Sequence, residues 1–348
     1  MMRAWIKHIV LVVVSCWMTL LTNAQDLHFS QFYNAPLSQN PALGGAINSR
    51  ELYINYRNQW RSVSTPFKTF AASASTRISS EKSKKGFWAM GGRFYNDQAG
   101  DGNLKTVSGA ANLVYHIRLS KYQHLGLGMS GGFGQRSINW DNFQWGSQYS
   151  NGSYLSSLPN GELLANNSVR YADLQTGIVW SFNNTSDLIK VTSNNFNQGN
   201  IGIAMHHVNR PNFGFMDTGD RQQIKYVAHG DFLFSLKNTP LAIQPGFMAY
   251  MQGPASQIVF GSQVRYELLA NSKYTGIYKG GGISIGAFYR MKDAMIFTGM
   301  IEFAQYSFGF SYDMNTSNLV SASGGRGAME FCLRIINQNP YFKDTKIF

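Results

Sequence analysis

Apolar and polar side chains alternate with period two along most of this chain, and no segment sustains a helical period. Successive side chains of a strand point to opposite faces, so each such segment is two-faced. In Tyr306–Asp313, Tyr306, Phe308, Phe310 and Tyr312 share one face, and Ser307, Gly309, Ser311 and Asp313 the other. In Gln257–Tyr266, Ile258, Phe260, Val264 and Tyr266 oppose Gln257, Gly261, Gln263 and Arg265. Phe70, Ala72, Ala74 and Ile78 oppose Ala71, Ser73, Ser75 and Arg77, and Met329, Phe331, Leu333 and Ile335 alternate with Glu330, Cys332 and Arg334. About 14 segments of this kind cover 52–60, 68–78, 86–96, 104–118, 123–136, 170–183, 199–208, 224–235, 241–251, 256–265, 280–291, 294–303, 305–313 and 328–336. Each is near the ~10 residues that a tilted membrane strand needs. Turn residues separate them, as in Gly100-Asp101-Gly102-Asn103, Asn238-Thr239-Pro240 and Lys292-Asp293.

Two architectures fit alternating strands. A soluble sandwich turns charged faces to water, whereas a membrane barrel turns apolar faces to lipid and polar faces to its lumen. The polar faces here are Gly, Ser, Gln and Asn with few charges. Only 14% of residues are charged, against about 25% in an ordinary soluble domain. The 14% aromatic content excludes a disordered chain, and two cysteines exclude a disulfide scaffold. Past the N-terminus no apolar run approaches the ~20 residues of a spanning helix. The expected fold is all-β, a transmembrane outer-membrane β-barrel of about 14 antiparallel strands over residues 51–336. Tyr53, Tyr56, Trp60, Trp88, Phe94, Tyr95, Tyr115, Trp180 and Phe182 suit interfacial girdles. An even strand count places both termini on the periplasmic side. The connections 61–67, 97–103, 137–169, 209–223 and 314–327 would then face outside, where long loops are expected. The connection 183–198 is long for an inner turn.

Residues 1–24 read as a signal peptide: Arg3 and Lys7 precede the apolar run Ile9–Leu21, and Thr22-Asn23-Ala24 offers a cleavage site. A lipoprotein cut before Cys16 is disfavoured, because Trp17 and further apolar residues follow instead of a polar tether. Cleavage at Ala24 takes the formal net charge from +12 to about +10 and leaves Cys332, a small apolar strand residue, as the one cysteine. Residues 25–50 contain Pro36 and Pro41 and are too polar for a spanning strand, so they form a periplasmic or plug segment. Residues 337–348 form a periplasmic tail.

The N-terminal stretch QDLHFSQFYNAPLSQNPALGGAINSR followed by LYINYRNQW resembles the start of the PorP/SprF family of outer-membrane proteins, associated with the type IX secretion system of Bacteroidota. The likeness continues, in the family's order, at YNDQAGDG (95–102), GFGQRSINW (132–140), HHVNRPN (206–212), YMQGP (250–254), FSYDMN (310–315) and Gly324-Gly325. It rests on Gln31, Phe32, Asn40, Pro41, Asn55, Trp60, Asp97, Asp101, His207, Asn209 and Pro211 among others. One departure is the entry to the last strand, where a Gly-Gly-Ser-His-Glu run is replaced by Gly-Gly-Arg-Gly-Ala-Met-Glu at 324–330. The resemblance implies a barrel that assists secretion or surface retention of a large adhesin-like client, with gliding motility among the roles of relatives.

Side chains that could carry chemistry form no catalytic constellation. His206 and His207, if both on a strand, point to opposite faces and cannot share a metal. Gly126-Leu127-Gly128-Met129-Ser130-Gly131 matches GxGxxG but lacks the helix of a pyrophosphate site, so alternating strand glycines explain it. Asp97, Asp101 and Asn103 lack the register of a calcium loop and read as a hairpin turn. No GxSxG elbow occurs. The basic excess is scattered apart from Lys82, Lys84 and Lys85, which argues against nucleic acid.

The sequence therefore favours a non-enzymatic accessory without cofactor or metal. Its outer loops, with Trp140, Trp145, Tyr149 and Tyr154 as aromatic anchors, would meet the secreted or surface adhesin client. Its periplasmic segments would meet peptidoglycan-linked secretion components, and its barrel wall outer-membrane lipid. The alternative is a passive, porin-like solute channel. Against it, the inward faces show few of the like charges that line selective pores.

Overall fold

The computed structural model describes residues 26–62, 65–78, 85–100, 102–140, 143–150, 152–161, 167–184, 197–215, 220–269, 280–318 and 320–337. The strands are β1 (Arg50–Gln59), β2 (Phe67–Arg77), β3 (Gly86–Ala99), β4 (Leu104–Arg118), β5 (Gln123–Ser137), β6 (Tyr149–Ser150), β7 (Ser153–Tyr154), β8 (Ser168–Asn183), β9 (Asn197–His206), β10 (Lys225–Ser235), β11 (Leu241–Gln252), β12 (Ala255–Leu269), β13 (Gly281–Arg290), β14 (Ala294–Phe303), β15 (Tyr306–Asn315) and β16 (Arg326–Asn337). All but β6 and β7 form one closed antiparallel barrel of 14 strands. β6 and β7 pair as a small hairpin inside the β5–β8 connection. Each of the 14 segments expected from alternation is a barrel strand, with ends shifted by a few residues.

The barrel closes where β1 meets β16, from Arg50 opposite Asn337 to Gln59 opposite Ala328. Closure leaves no sheet edge, which is what a strand-built membrane protein requires. The alternation sorts side chains as a lipid-facing wall demands. Along β15, Phe308 is 62% exposed, whereas Ser311 is fully buried. Along β13, Ile285 is 68% exposed and Arg290 is 1% exposed. Among the described residues no helix is long and apolar enough to cross a membrane.

The rim carrying Arg50 and Asn337 is called the lower rim, and the other the upper rim. The connections expected outside all lie at the upper rim. Lengths are less asymmetric than expected. At the lower rim the connections 184–196 and 270–280 exceed the upper turns 253–254 and 291–293. Of the long connection singled out at 183–198, the stretch 185–196 lies outside the described residues, as do Lys82 and Lys84. Two of the expected girdle aromatics face inward: Tyr53 is 6% exposed, and Tyr95 packs with Phe29, Ala35 and Ala71. Each sits at an inward position of its strand, beside outward Tyr56 and Phe94.

Candidate functional site

The lumen is filled by residues 26–49. Pro36 and Pro41 keep this segment from pairing as a strand; it makes only short turns at Phe32–Asn34, Pro36–Gln39 and Pro41–Leu43. Irregular backbone at membrane depth has polar groups that lipid cannot satisfy, so it is tolerated only where protein or water supplies partners. The inward-facing strand residues are those partners. Glu330 accepts from the backbone N–H groups of Ser30 (2.6 Å) and Gln31 (2.9 Å). Asn55 donates to the carbonyl of Asn34 at 2.9 Å. His206 Nε2 meets the carbonyl of Gln39 at 2.8 Å, and His116 Nε2 that of Gly44 at 2.8 Å. Arg77 donates to the carbonyls of Gly45 and Ile47, both at 2.9 Å.

Apolar contacts hold the same segment. Phe32 is buried among Ala204, Val227, Met248, Tyr250, Val259, Phe288 and Ile296, and Ala42, Leu43 and Ala46 pack on Ala89, Val114 and Val179. Burying one phenylalanine side chain stabilises by about 1.5–3 kcal/mol. Room for the backbone comes from inward glycines. A Cβ on Gly128 would stand 2.4 Å from the Ala42 nitrogen, and one on Gly177 2.0 Å from Asn40 Oδ1. This is the physical content of the GxGxxG match: Gly128 lies under Ala42 and Gly126 beside the His116 ring.

The segment runs the length of the lumen. Its first described residue, Asp26, lies at the upper rim, where its N–H donates to Gln252 Oε1 (3.2 Å) and its carboxylate meets His207 Nε2 (2.6 Å) and Gln222 Nε2 (2.9 Å). Its last residues reach Glu51 at the lower rim through Asn48 at 3.3 Å. Strand parity therefore fixes Arg50 and Asn337 at one rim but leaves Asp26 at the other.

Two charged clusters anchor the upper half. In the first, the Ser30 hydroxyl donates to Asp313 Oδ2 (2.7 Å) and accepts from Arg57 Nη1 (2.8 Å) and Arg290 Nη2. Arg57 pairs with Glu330, and Arg290 with Asp313 at 3.0 Å. In the second, His207 lies between Asp26 and Asp173, its Nδ1 2.8 Å from Asp173 Oδ1. Burial opposes charge on His207, but the carboxylates of Asp26 and Asp173 outweigh it and raise the pKa to about 9. Burial likewise opposes charge on Asp26, and His207 and Lys225 outweigh it, holding the carboxyl far below the usual carboxylate range.

The residues singled out from sequence divide between lumen and rim. Gln31, Phe32, Asn40, Pro41, Asn55 and His207 converge where segment and wall meet. Asn40 accepts from Ala42 N–H at 2.8 Å and donates to the carbonyls of Ile178 and Ile203, both at 3.1 Å. Pro41 begins the turn that Asn40 caps. β9 ends at His206, and a positive φ of 58° at His207 turns that side chain inward as well. The two histidines thus both face the lumen, against the opposite faces that a continuing strand would give. At the upper rim, Asn209 accepts from Leu174 N–H (3.0 Å) and donates to Ala172 O (2.7 Å), standing in for a strand partner where β8 outruns β9. Pro211 accepts from Gln222 N–H at 2.9 Å. Trp60 stacks edge-on to Phe67 at 4.8 Å, and Asp97 accepts from Thr69 at 2.6 Å. Asp101 lies outside the described residues.

The loop aromatics form two groups. Trp140 and Trp145 are half-buried against each other, Phe143 and Phe215, tying the 138–167 connection to the 207–224 connection. Tyr149 and Tyr154 pair across the β6–β7 hairpin at 5.5 Å, and Tyr149 is 51% exposed.

Residues 21–335 match the family described as "Type IX secretion system membrane protein PorP/SprF". The chain belongs to the PorP/SprF family. It is thus a type IX secretion membrane protein with an outer-membrane barrel fold, and its family implies partners within that secretion system. PorP/SprF is a secretion-system membrane family and not a known enzyme family. No curated protein matches the chain. Among solved structures it is similar to the translocator domain of the autotransporter NalP from Neisseria meningitidis (10% identity, TM-score 0.39, 82% of this chain and 87% of that one). It is also similar to BamA from Haemophilus ducreyi lacking POTRA domains 1–3 (9%, 0.40, 83% and 70%) and to the beta domain of the Bordetella autotransporter Brka (8%, 0.35, 83% and 99%). Among the described residues of this PorP/SprF chain, no three His, Cys, Asp or Glu side chains are placed to hold a metal ion together.

Sequence reasoning passed over Asp26, Ser30, Arg57, Arg290, Asp313 and Glu330 as a set. For Arg57, Arg290, Asp313 and Glu330 the only signal was position, as charged residues on inward faces that are otherwise Gly, Ser, Gln and Asn; Asp26 and Ser30, in the lumenal segment, carried none.

Proposed function

We propose that this protein is a non-enzymatic accessory of type IX secretion that assists secretion or surface anchoring of a large adhesin-like client, with its barrel acting as a closed platform. The observation that carries the reading is the filled lumen. Residues 26–49 are bonded to strands on all sides, which speaks against a passive solute channel. In this reading residues 1–24 are removed as a signal peptide, the lower rim faces the periplasm and the upper rim faces outside. The upper connections then meet the client, through the exposed Tyr149 and the half-buried Trp140–Trp145 group. The lower connections and residues 337–348 meet components fixed at the peptidoglycan.

The test compares the surface and secreted proteomes of a clean deletion, the wild type and a complemented strain. Loss of one or a few large surface proteins with general secretion intact supports a client-specific accessory. General loss makes the protein a core component, and an unchanged proteome overturns the secretion reading. Planar-bilayer conductance addresses the channel separately: wild type is expected to be silent, and steady conductance would favour the pore.

A further inference from the structure

Among the described residues, the barrel ladder has its longest gap on one side of β8. Most neighbouring strands pair to the upper rim, as β5 does with β8 up to Ser137 opposite Ser168, and β9 with β10 at His206 opposite Lys225. β8 and β9 pair only from Asn183 opposite Gln198 to Thr176 opposite Met205. The upper part of β8, residues 168–175, therefore has β5 on one side and no strand on the other. The next longest gap at this rim is half that length, where β12 outruns β13 by residues 255–258. β8 has 16 residues, whereas a tilted membrane strand needs about 10, so its upper end stands beyond the bilayer.

Backbone N–H and C=O groups point alternately to the two sides of a strand. Those of Leu174 point to the open side: its C=O accepts from Val208 N–H and its N–H donates to Asn209 Oδ1, both at 3.0 Å. Asn209 Nδ2 then donates to the C=O of Ala172 at 2.7 Å, and the cap ends there. By the same alternation the N–H of Ala172 and both groups of Arg170 and Ser168 face the open side. Among the described residues these groups have no hydrogen-bond partner. Ser168, Arg170 and Ala172 are all exposed. The Arg170 side chain does not shield the edge, because its Nε donates to Gln135 Oε1 at 3.3 Å, on the side where β5 pairs.

An exposed row of unpaired N–H and C=O groups is a template for another chain. Only an extended polypeptide presents donors and acceptors in the alternation and at the spacing that match such a row bond for bond. We propose that the upper edge of β8, Ser168–Ala172, is a docking edge for an extended segment of the secreted client, which pairs with it as an added strand in the line of β9. Main-chain hydrogen bonds hold the segment, and Asn209 marks where it stops, since its amide already occupies the place of a strand partner at Ala172 and Leu174. This inference rests on the secretion reading and names the contact by which the client is held.

The test uses the full chain in the cells that produce it, and the client is the large surface protein lost from a clean deletion strain. Arg170→Pro removes the open N–H at a position where an edge strand tolerates proline. Arg170→Ala removes the same charge and keeps the N–H. Surface display of the client is expected to be lost in Arg170→Pro and retained in Arg170→Ala, with both barrels folded by gel mobility of heated samples. A benzophenone side chain placed at Ser168 is expected to cross-link to that same protein on illumination, and one placed at Lys121 on the lower rim is not. Normal display in Arg170→Pro, equal loss in both variants, or no cross-link from Ser168 overturns the docking edge and leaves the secretion reading in place. A deletion strain with an unchanged surface proteome overturns both. Should Arg170→Pro fail to insert, display in Ser168→Pro against Ser168→Ala decides.

Discussion

Arg57 and Glu330 stand directly opposite each other at the seam where the first and last strands close the barrel, and together they grip Ser30 of the lumenal segment. One ion pair therefore serves both closure and filling. Removing one partner of a buried pair leaves an uncompensated charge and costs about 3–5 kcal/mol. Glu330→Gln also weakens acceptance from the N–H groups of Ser30 and Gln31. We expect a clear fall in Tm, read by gel mobility of heated samples in detergent. Arg57→Met with Glu330→Leu should cost less than the sum of the two single changes. Strict additivity would show that the pair does not act as a unit.

Asn40 and Gly177 give a test of filling that spares the seam. A Cβ at 177 would stand 2.0 Å from Asn40 Oδ1. Gly177→Ala should dislodge the segment while the barrel stays closed. A cysteine placed at Ser38, half-buried in the native state, should then react faster with a soluble maleimide. Asn40→Ala removes the clashing amide, so the double variant should lose part of the Gly177→Ala effect. Contacting residues couple by about 0.5–3 kcal/mol; equal effects in both backgrounds would remove Asn40 as the cause.

The Asp26–His207–Asp173 cluster makes the anchor at the upper rim pH-dependent. His207 has its pKa raised from 6.5 to about 9, so its contribution is fully present below about 6.5 and is lost as pH rises through about 9. Asp26 is shifted the other way, so its contribution is present above about 3.8 and is lost as pH falls. Between those limits the anchor is at full strength. From pH 6.5 to 9 a loss of roughly 3 kcal/mol is expected. A Tm–pH series should show this fall in the wild type and a flatter line in His207→Gln. An equal slope in both would assign the dependence to other groups.

The barrel was legible because two-faced strands write their period directly into sequence: the Tyr306–Asp313 alternation predicts which of Phe308 and Ser311 meets lipid, and the structure agrees. Its filling was not. Phe288 and Ile296 face inward because they receive Phe32 and its neighbours, a reason that lies more than 250 residues away in the chain. Arg57 finds Glu330 at a separation of 273 residues. Periodicity names a face but not the occupant of the space it encloses. Tyr53 and Tyr95 failed as girdle residues for a different reason: strand-end composition suggested the girdle, whereas the alternation of each strand puts both on its inward face.

The path of residues 26–49 makes a prediction that strand parity alone would reverse. Parity sets Arg50 and Asn337 at the lower rim. The segment then climbs the lumen to Asp26, held by Gln252, Gln222 and His207 at the upper rim. With the lower rim in the periplasm, a chain cleaved after Ala24 presents its new N-terminus to the outside. A short epitope inserted between Ala24 and Gln25 should bind antibody on intact cells, whereas one appended after Phe348 should bind only after permeabilisation. The reverse pattern would invert the orientation. An N-terminal epitope that is labelled only after permeabilisation, together with a C-terminal one that behaves the same way, would place both ends in the periplasm and withdraw the segment from the lumen. Paired with Gly177→Ala, the experiment also tests the grip of the wall. Dislodging Asn40 should expose residues of the segment to protease added at the cell surface, and Asn40→Ala in the same chain should reduce that exposure.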